Sequence, residues 1–198
     1  MSLKTFLILV IAFIAAIIVG TLSHECGHWI VAAFQGFDAR ISYGAKHYIG
    51  NPEMSYAQSL WMSAGGPLQT MLTGTIGVLL SLRIPRSIER LSTVQWTIVF
   101  LALFWLRQSA NLVVGSASLL LSSKQSIRGD EIRLAYGLGL PGWSLALVTG
   151  LIGFGVLYYI TFRVIPRQQR ITFLAAGLIG GVLGYILWLH LLGPVIMP

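Results

Sequence analysis

His24, Glu25, Cys26, Gly27 and His28 stand together in a run that is apolar on both sides. An α-helix advances about 100° per residue, so histidines four apart present their imidazoles on one face. That spacing suits joint coordination of a single divalent cation. The glutamate beside the first histidine flanks the same face, where a carboxylate can take a proton from water. Cys26 is about 200° from His24 around the helix and is a poor ligand candidate. With four His and four Glu in 198 residues, shuffled chains would contain this pattern about twice in a thousand. Ionisable groups inside an apolar span are costly and mark function by default. The alternative is a buried His–Glu hydrogen-bonded cluster that joins helices.

A catalytic zinc takes three protein ligands and keeps one position open. Only six acidic residues are available. Glu25 is assigned as the base. Glu89 lies among Arg83, Arg86 and Arg90, in a loop on the far side of the membrane, and reads as a solvated ion pair. Asp38, Glu53, Asp130 and Glu131 fall in loops on the histidine side. Asp38 comes only ten residues after His28 and would have to fold back. Asp130 follows Gly129 ahead of a helical stretch, so it can equally be a helix cap. Spacing ranks Asp130 first and leaves Asp38, Glu53 and Glu131 open. Phe34 stands where a third histidine of the long metzincin pattern would be.

The elements that must position these groups are membrane spans. Apolar residues make up 56% of the chain and charged ones 10%, with a mean hydropathy of +0.79. A soluble domain carries about 25% charged residues, so a water-soluble monomer is excluded, and disorder is excluded by the same figures. Crossing about 30 Å of hydrocarbon takes roughly 20 mostly apolar residues. Five stretches qualify, at 5–35, 59–82, 94–121, 138–162 and 171–193. The expected fold is therefore an all-α integral membrane bundle of about five transmembrane helices. Residues 1–198 form a single membrane-embedded domain, with no room for an added soluble one. A cleaved leader is not expected, because no small-residue cleavage site follows the first apolar run and Trp29 to Phe34 resumes it.

Local signals fill in the rest. Arg40 to Tyr43 and Lys46 to Ile49, split by Gly44-Ala45, read as a short β-hairpin after the first helix. Gly65-Gly66-Pro67 is expected to break the second span, or else to start a helix at Pro67. Gly177, Gly180, Gly181 and Gly184 have the spacing of helix-packing residues. Arg107, Gln108 and Asn111 share a helix face. They either line a cavity, with Asn111 steadying an oxyanion, or make interhelical hydrogen bonds while the arginine reaches the interface. His47 and His190 read as having no site role. One cysteine permits no intrachain disulfide. The net charge of +7 comes from basic residues between apolar stretches, which points to lipid head groups rather than nucleic acid. Lys4, Arg83, Arg86, Arg90, Arg163, Arg167 and Arg170 fall on one side. Arg40, Lys46, Lys124, Arg128 and Arg133 fall on the other, and this difference leans toward a cytosolic N-terminus.

Taken in order, HECGH in the first helix, Ser63-Ala64-Gly65-Gly66-Pro67-Leu68 in the next span, and Gly129-Asp130 before a later helix resemble the site-2 protease family. These are intramembrane zinc metalloproteases that cut transmembrane or membrane-proximal segments. The resemblance implies Zn2+ held by His24, His28 and Asp130, with Glu25 as general base. It makes Asn111 the counterpart of the family's catalytic asparagine. It also makes the segment up to Tyr48 a short β region beside the site, where an extended substrate pairs. This chain departs from the family pattern in three ways. Glu131 follows Asp130 in place of glycine, no proline lies between Asn111 and Asp130, and Thr70 stands where many members have asparagine. Family cores hold the zinc toward the cytosol, opposite to the side the charge tally gives.

The expected partners are a membrane-protein or membrane-anchored peptide substrate, the bilayer itself and a regulatory membrane protein. The expected location is a bacterial cytoplasmic membrane. Two other functions are weighed against this one. A membrane peptidase of the type that processes prenylated proteins would need a later Glu-x-x-x-Asp, but Glu53, Glu89 and Glu131 are followed four residues on by Ala57, Thr93 and Ala135. A non-catalytic regulator retaining a metal site would not need Glu25.

Overall fold

The computed structural model describes residues 3–50, 53–121 and 129–198; Lys124 and Arg128 of the charge tally lie outside them. The chain is an all-α, multi-pass membrane protein with one small hairpin. Among the described residues, four helical stretches are long and apolar enough to cross a bilayer: Leu3–Phe34, Thr93–Ala117, Ser144–Val164 and Arg167–Ile196. The first, α1 (Leu3–Phe34), has 32 residues and a length of about 48 Å at 1.5 Å per residue.

The second expected span is α2 (Tyr56–Ser81), 26 residues long. It matches the others in length, but Gln58, Ser59, Ser63, Gln69, Thr70 and Thr73 make it more polar. It starts in a capping box, in which the Ser55 hydroxyl accepts from the Gln58 N–H and the Gln58 side chain accepts from the Ser55 N–H. From there it runs without interruption through Gly65, Gly66 and Pro67. The expected break, and the alternative start at Pro67, are both overturned. Proline removes one N–H from the ladder, but a packed neighbouring helix sustains such a helix in a membrane, and here that neighbour is α1.

The third span is α3 (Thr93–Ala102) and α4 (Leu106–Leu121), joined by a tight helical turn at Leu103–Trp105. A short helix, α5 (Asp130–Gly137), precedes α6 (Ser144–Tyr159), which widens into a π-helical turn at Ile160–Val164. Last comes α7 (Arg170–Ile186), followed by a π-helical stretch at Leu187–Leu192 and a single terminal turn, α8 (Gly193–Ile196).

In the bundle α1 packs against both α2 and α7, and glycine sets both contacts. A Cβ on Gly180 would come within 2.6 Å of the Val10 carbonyl oxygen, and one on Gly184 within 3.0 Å of the Ile14 backbone. Gly177 faces the Phe13 ring, while Gly181 faces open space. Three of the four glycines expected to pack therefore do so. At the other crossing, a Cβ on Gly27 would lie 2.5 Å from the Gly65 oxygen, and a Cβ on Gly65 would lie 2.6 Å from the Gly27 oxygen. The two backbones touch there.

The apolar core gathers at the end where α1 begins. Leu9, Val10 and Phe13 bury against Ile84, Leu91, Val99, Ile160 and Phe173. The Phe13 ring meets Phe100 edge-on at 5.0 Å and Phe173 at 5.4 Å.

At the opposite end lies the expected hairpin, β1 (Ala39–Ile41) paired antiparallel with β2 (Lys46–Tyr48), with Arg40 opposite His47. It is fastened to the bundle on two sides. The Trp29 indole donates to the Ala39 carbonyl at 3.0 Å, and the Trp188 indole donates to the Tyr43 carbonyl at 2.8 Å.

Candidate metal centre

Helical spacing puts His24 and His28 on the face of α1 that meets α2, and both are almost fully buried, at 1% and 2% exposure. One ring nitrogen of each, together with a carboxylate oxygen of Glu25, lie within 4.8 Å of one another, so this group can hold a metal ion.

The surface opposite the rings is Gly66. A Cβ at that position would stand 2.4 Å from His24 Nε2 and 2.5 Å from His28 Nε2. Both Nε2 atoms thus face a space that any other residue type would fill. The Gly27–Gly65 contact brings α2 close enough for Gly66 to form that wall.

The outer nitrogens are held in place. His28 Nδ1 lies 2.6 Å from the Met62 carbonyl oxygen and 3.2 Å from the Gly66 backbone nitrogen. The Thr70 hydroxyl donates to the Gly66 carbonyl at 3.0 Å and lies 2.9 Å from His24 Nδ1. Both rings turn Nε2 toward the Gly66 space with Nδ1 engaged on the other side, the orientation that metal-binding histidines adopt.

Asp130 is the first residue of α5, and its Oδ2 lies 3.2 Å from His24 Nε2 and 3.0 Å from His28 Nε2. It does not cap the helix: Gly129 is the cap residue and makes no side-chain bond. Burial alone would raise the Asp130 pKa, but hydrogen bonding to the two imidazoles holds it well below the ordinary carboxylate range. At its far end α5 is tied to α2, where the Tyr56 hydroxyl donates to the Gly137 carbonyl.

The other acidic candidates lie elsewhere. The Asp38 carbonyl accepts from the Ile49 N–H beside the hairpin, and Glu53 is exposed. Glu131 is buried, at 4% exposure, and burial raises its pKa, while Asn111 Nδ2 donates to its carboxylate at 3.3 Å. Asn111 therefore engages the neighbour of Asp130. Arg107, one turn earlier on α4, places Nη2 3.9 Å from a Glu25 oxygen. The shared face of α4 thus serves this end of the molecule. Partial burial likewise raises the Tyr48 phenol pKa at the end of β2.

His47 meets Ser42 Oγ at 3.2 Å within the hairpin, and His190 packs on the Tyr185 ring. Glu89, expected in an ion pair, makes none among the described residues.

Sequence reasoning missed Gly66 as a wall and Thr70 as a partner of His24. Gly65-Gly66 was the available signal: glycine marks close backbone approach as often as it marks a break. Comparisons of the chain with protein families, with curated proteins and with solved structures give no match.

Proposed function

We propose that this protein is an intramembrane zinc metalloprotease, cutting a membrane-embedded or membrane-anchored peptide segment. The observation that carries this reading is the convergence of His24 Nε2, His28 Nε2 and Asp130 Oδ2 on the space left by Gly66, with Glu25 beside it. Two imidazoles and a carboxylate are a catalytic-zinc donor set. At bond lengths of about 2.0–2.1 Å, tetrahedral donors stand about 3.4 Å apart, close to the 3.2 and 3.0 Å found here. The residues present fit the ion.

Bound there, zinc would lower the pKa of a coordinated water toward about 7 and polarise a peptide carbonyl. His24, His28 and Asp130 would hold the ion. Glu25 takes a proton from water as the water oxygen adds to the peptide carbon. It returns that proton to the leaving nitrogen as the C–N bond breaks. Thr70 and the Met62 carbonyl hold the outer ring nitrogens and fix the orientation of the imidazoles. Asn111, through Glu131, steadies the chain segment that carries Asp130. A helical substrate must unwind locally first, because its carbonyls are otherwise hydrogen-bonded within the helix.

The test is the metal content of the purified protein, together with cleavage of a co-reconstituted single-span reporter, for wild type and Glu25→Gln. About one zinc per chain in both, with cleavage only in wild type, is the expected result. Equal cleavage in both would remove Glu25 from the reaction. Absence of metal from the wild type, even after zinc is supplied, would overturn the proposal.

A further inference from the structure

At the end where α1 begins, the basic residues do more than mark a boundary. A cavity of about 350 Å³ lies between the loop after α2 and the turn leading into α7, lined by Arg86, Glu89, Phe162, Arg163, Arg167 and Arg170. Its walls are anchored. Ile84 and Leu91 are each 8% exposed and Ile165 is 1% exposed. The Gln169 side chain accepts from the Leu91 N–H at 3.5 Å, linking the two loops.

Arg170 belongs to this scaffold. Its Nε and Nη2 donate to the carbonyls of Ile165 and Phe162 at 3.1 and 2.8 Å, and its guanidinium lies 5.4 Å over the Phe162 ring. Arg86, Arg163 and Arg167 are exposed, and none makes an ion pair among the described residues, with Glu89 or any other carboxylate. Four guanidiniums facing one carboxylate around a small cavity create a field that attracts an anion. The planar fork of arginine matches phosphate oxygens two at a time.

The surroundings select which phosphate. The cavity sits where α2 ends, α6 ends and α7 begins, at one edge of the apolar bundle. Phe162, which lines it, is 46% exposed, and Leu82 at the end of α2 and Ile171 at the start of α7 are exposed at 63% and 83%. We propose that this cavity binds the phosphate of an anionic phospholipid, with the acyl chains lying along that apolar surface. The inference is independent of the metal centre at the other end.

The full chain, purified in detergent, is titrated at fixed ionic strength with short-chain phosphatidylglycerol, short-chain phosphatidylcholine and inorganic phosphate. Bound lipid is counted by native mass spectrometry, and the melting temperature is followed in parallel. One retained phosphatidylglycerol that raises the melting temperature is expected, with weaker binding of the other two. The combined Arg86→Gln, Arg163→Gln and Arg167→Gln variant should bind it roughly 100-fold more weakly, about fivefold per cation removed. Unchanged affinity in that variant, or equal affinity for both lipids, overturns the proposal. Saturable phosphate binding with no preference for lipid overturns the lipid assignment. Glu89→Gln removes only the opposing carboxylate and should bind phosphatidylglycerol more tightly. It keeps the test decisive if the triple variant does not fold, because unchanged or weaker binding there also overturns the site.

Discussion

Near its start α1 buries Leu9, Val10 and Phe13 with Val99 and Phe173; three turns after Phe13 the same helix buries His24, Glu25 and His28 beside Gly66, Thr70 and Asp130. The outer surface does not distinguish the two regions, since both are ringed by exposed apolar side chains such as Leu7, Ile11, Leu72 and Val148. They differ in what holds the helices together. In lipid, apolar side chains gain little by leaving their surroundings, so the aromatic end depends on close packing of ring on ring. The polar end depends on hydrogen-bond partners for its buried imidazoles and carboxylates, because such groups left alone there have no water to turn to. Matching at such short range requires backbone contact, which Gly27 and Gly65 allow. A bundle of this kind can lose packing at one end and keep its chemistry, or lose its chemistry and keep its packing.

That separation can be broken at several points. Glu25→Gln should lower cleavage of a reconstituted reporter by about 10²–10⁴-fold, the usual worth of a positioned acid–base group, with zinc content and melting temperature unchanged. Phe173→Ala, at 1% exposure, should cost about 3–5 kcal/mol of stability in a denaturation series in mixed micelles, with the zinc stoichiometry of the folded fraction unaltered. Gly66→Ala or Asp130→Ala should do the reverse, abolishing stoichiometric zinc by elemental analysis while leaving a folded helical protein. Full occupancy in Asp130→Ala would redirect the third-ligand assignment to Glu25, whose carboxylate stands with the two imidazoles. Thr70→Ala should weaken zinc affinity by about 10–100-fold, as loss of an outer partner of a metal-bound histidine does. Thr70→Ser, which keeps the hydroxyl, should recover most of that in a chelator competition.

The membrane class, the hairpin and the histidine pair were legible because each rests on a local signal: an apolar run, a turn between alternating residues, a four-residue spacing. Asp130 was only a leading candidate, since the 102 positions separating it from His28 are closed by helix packing, which no spacing rule reaches. Gly65-Gly66-Pro67 misled for a related reason. Local propensity reads those residues as a break, but the fold uses the absent side chains to admit α1. Glu89 misled because neighbours in sequence need not meet once their loop is pinned at Ile84 and Leu91. The polar partner of His24 was unreadable without the register between α1 and α2.

From Leu3 to His24 is 21 residues along one continuous helix, a rise of about 31 Å, close to the 30 Å hydrocarbon depth of an ordinary bilayer. With Lys4 at one water boundary, an upright rod delivers the imidazoles almost to the other. Tilting the rod, as a thinner sheet of lipid demands of a long apolar helix, would bring that boundary nearer to its foot and move the imidazoles with it. The rod acts as a ruler: it fixes how far the paired imidazoles stand from the lipid edge, and ties that depth to membrane thickness.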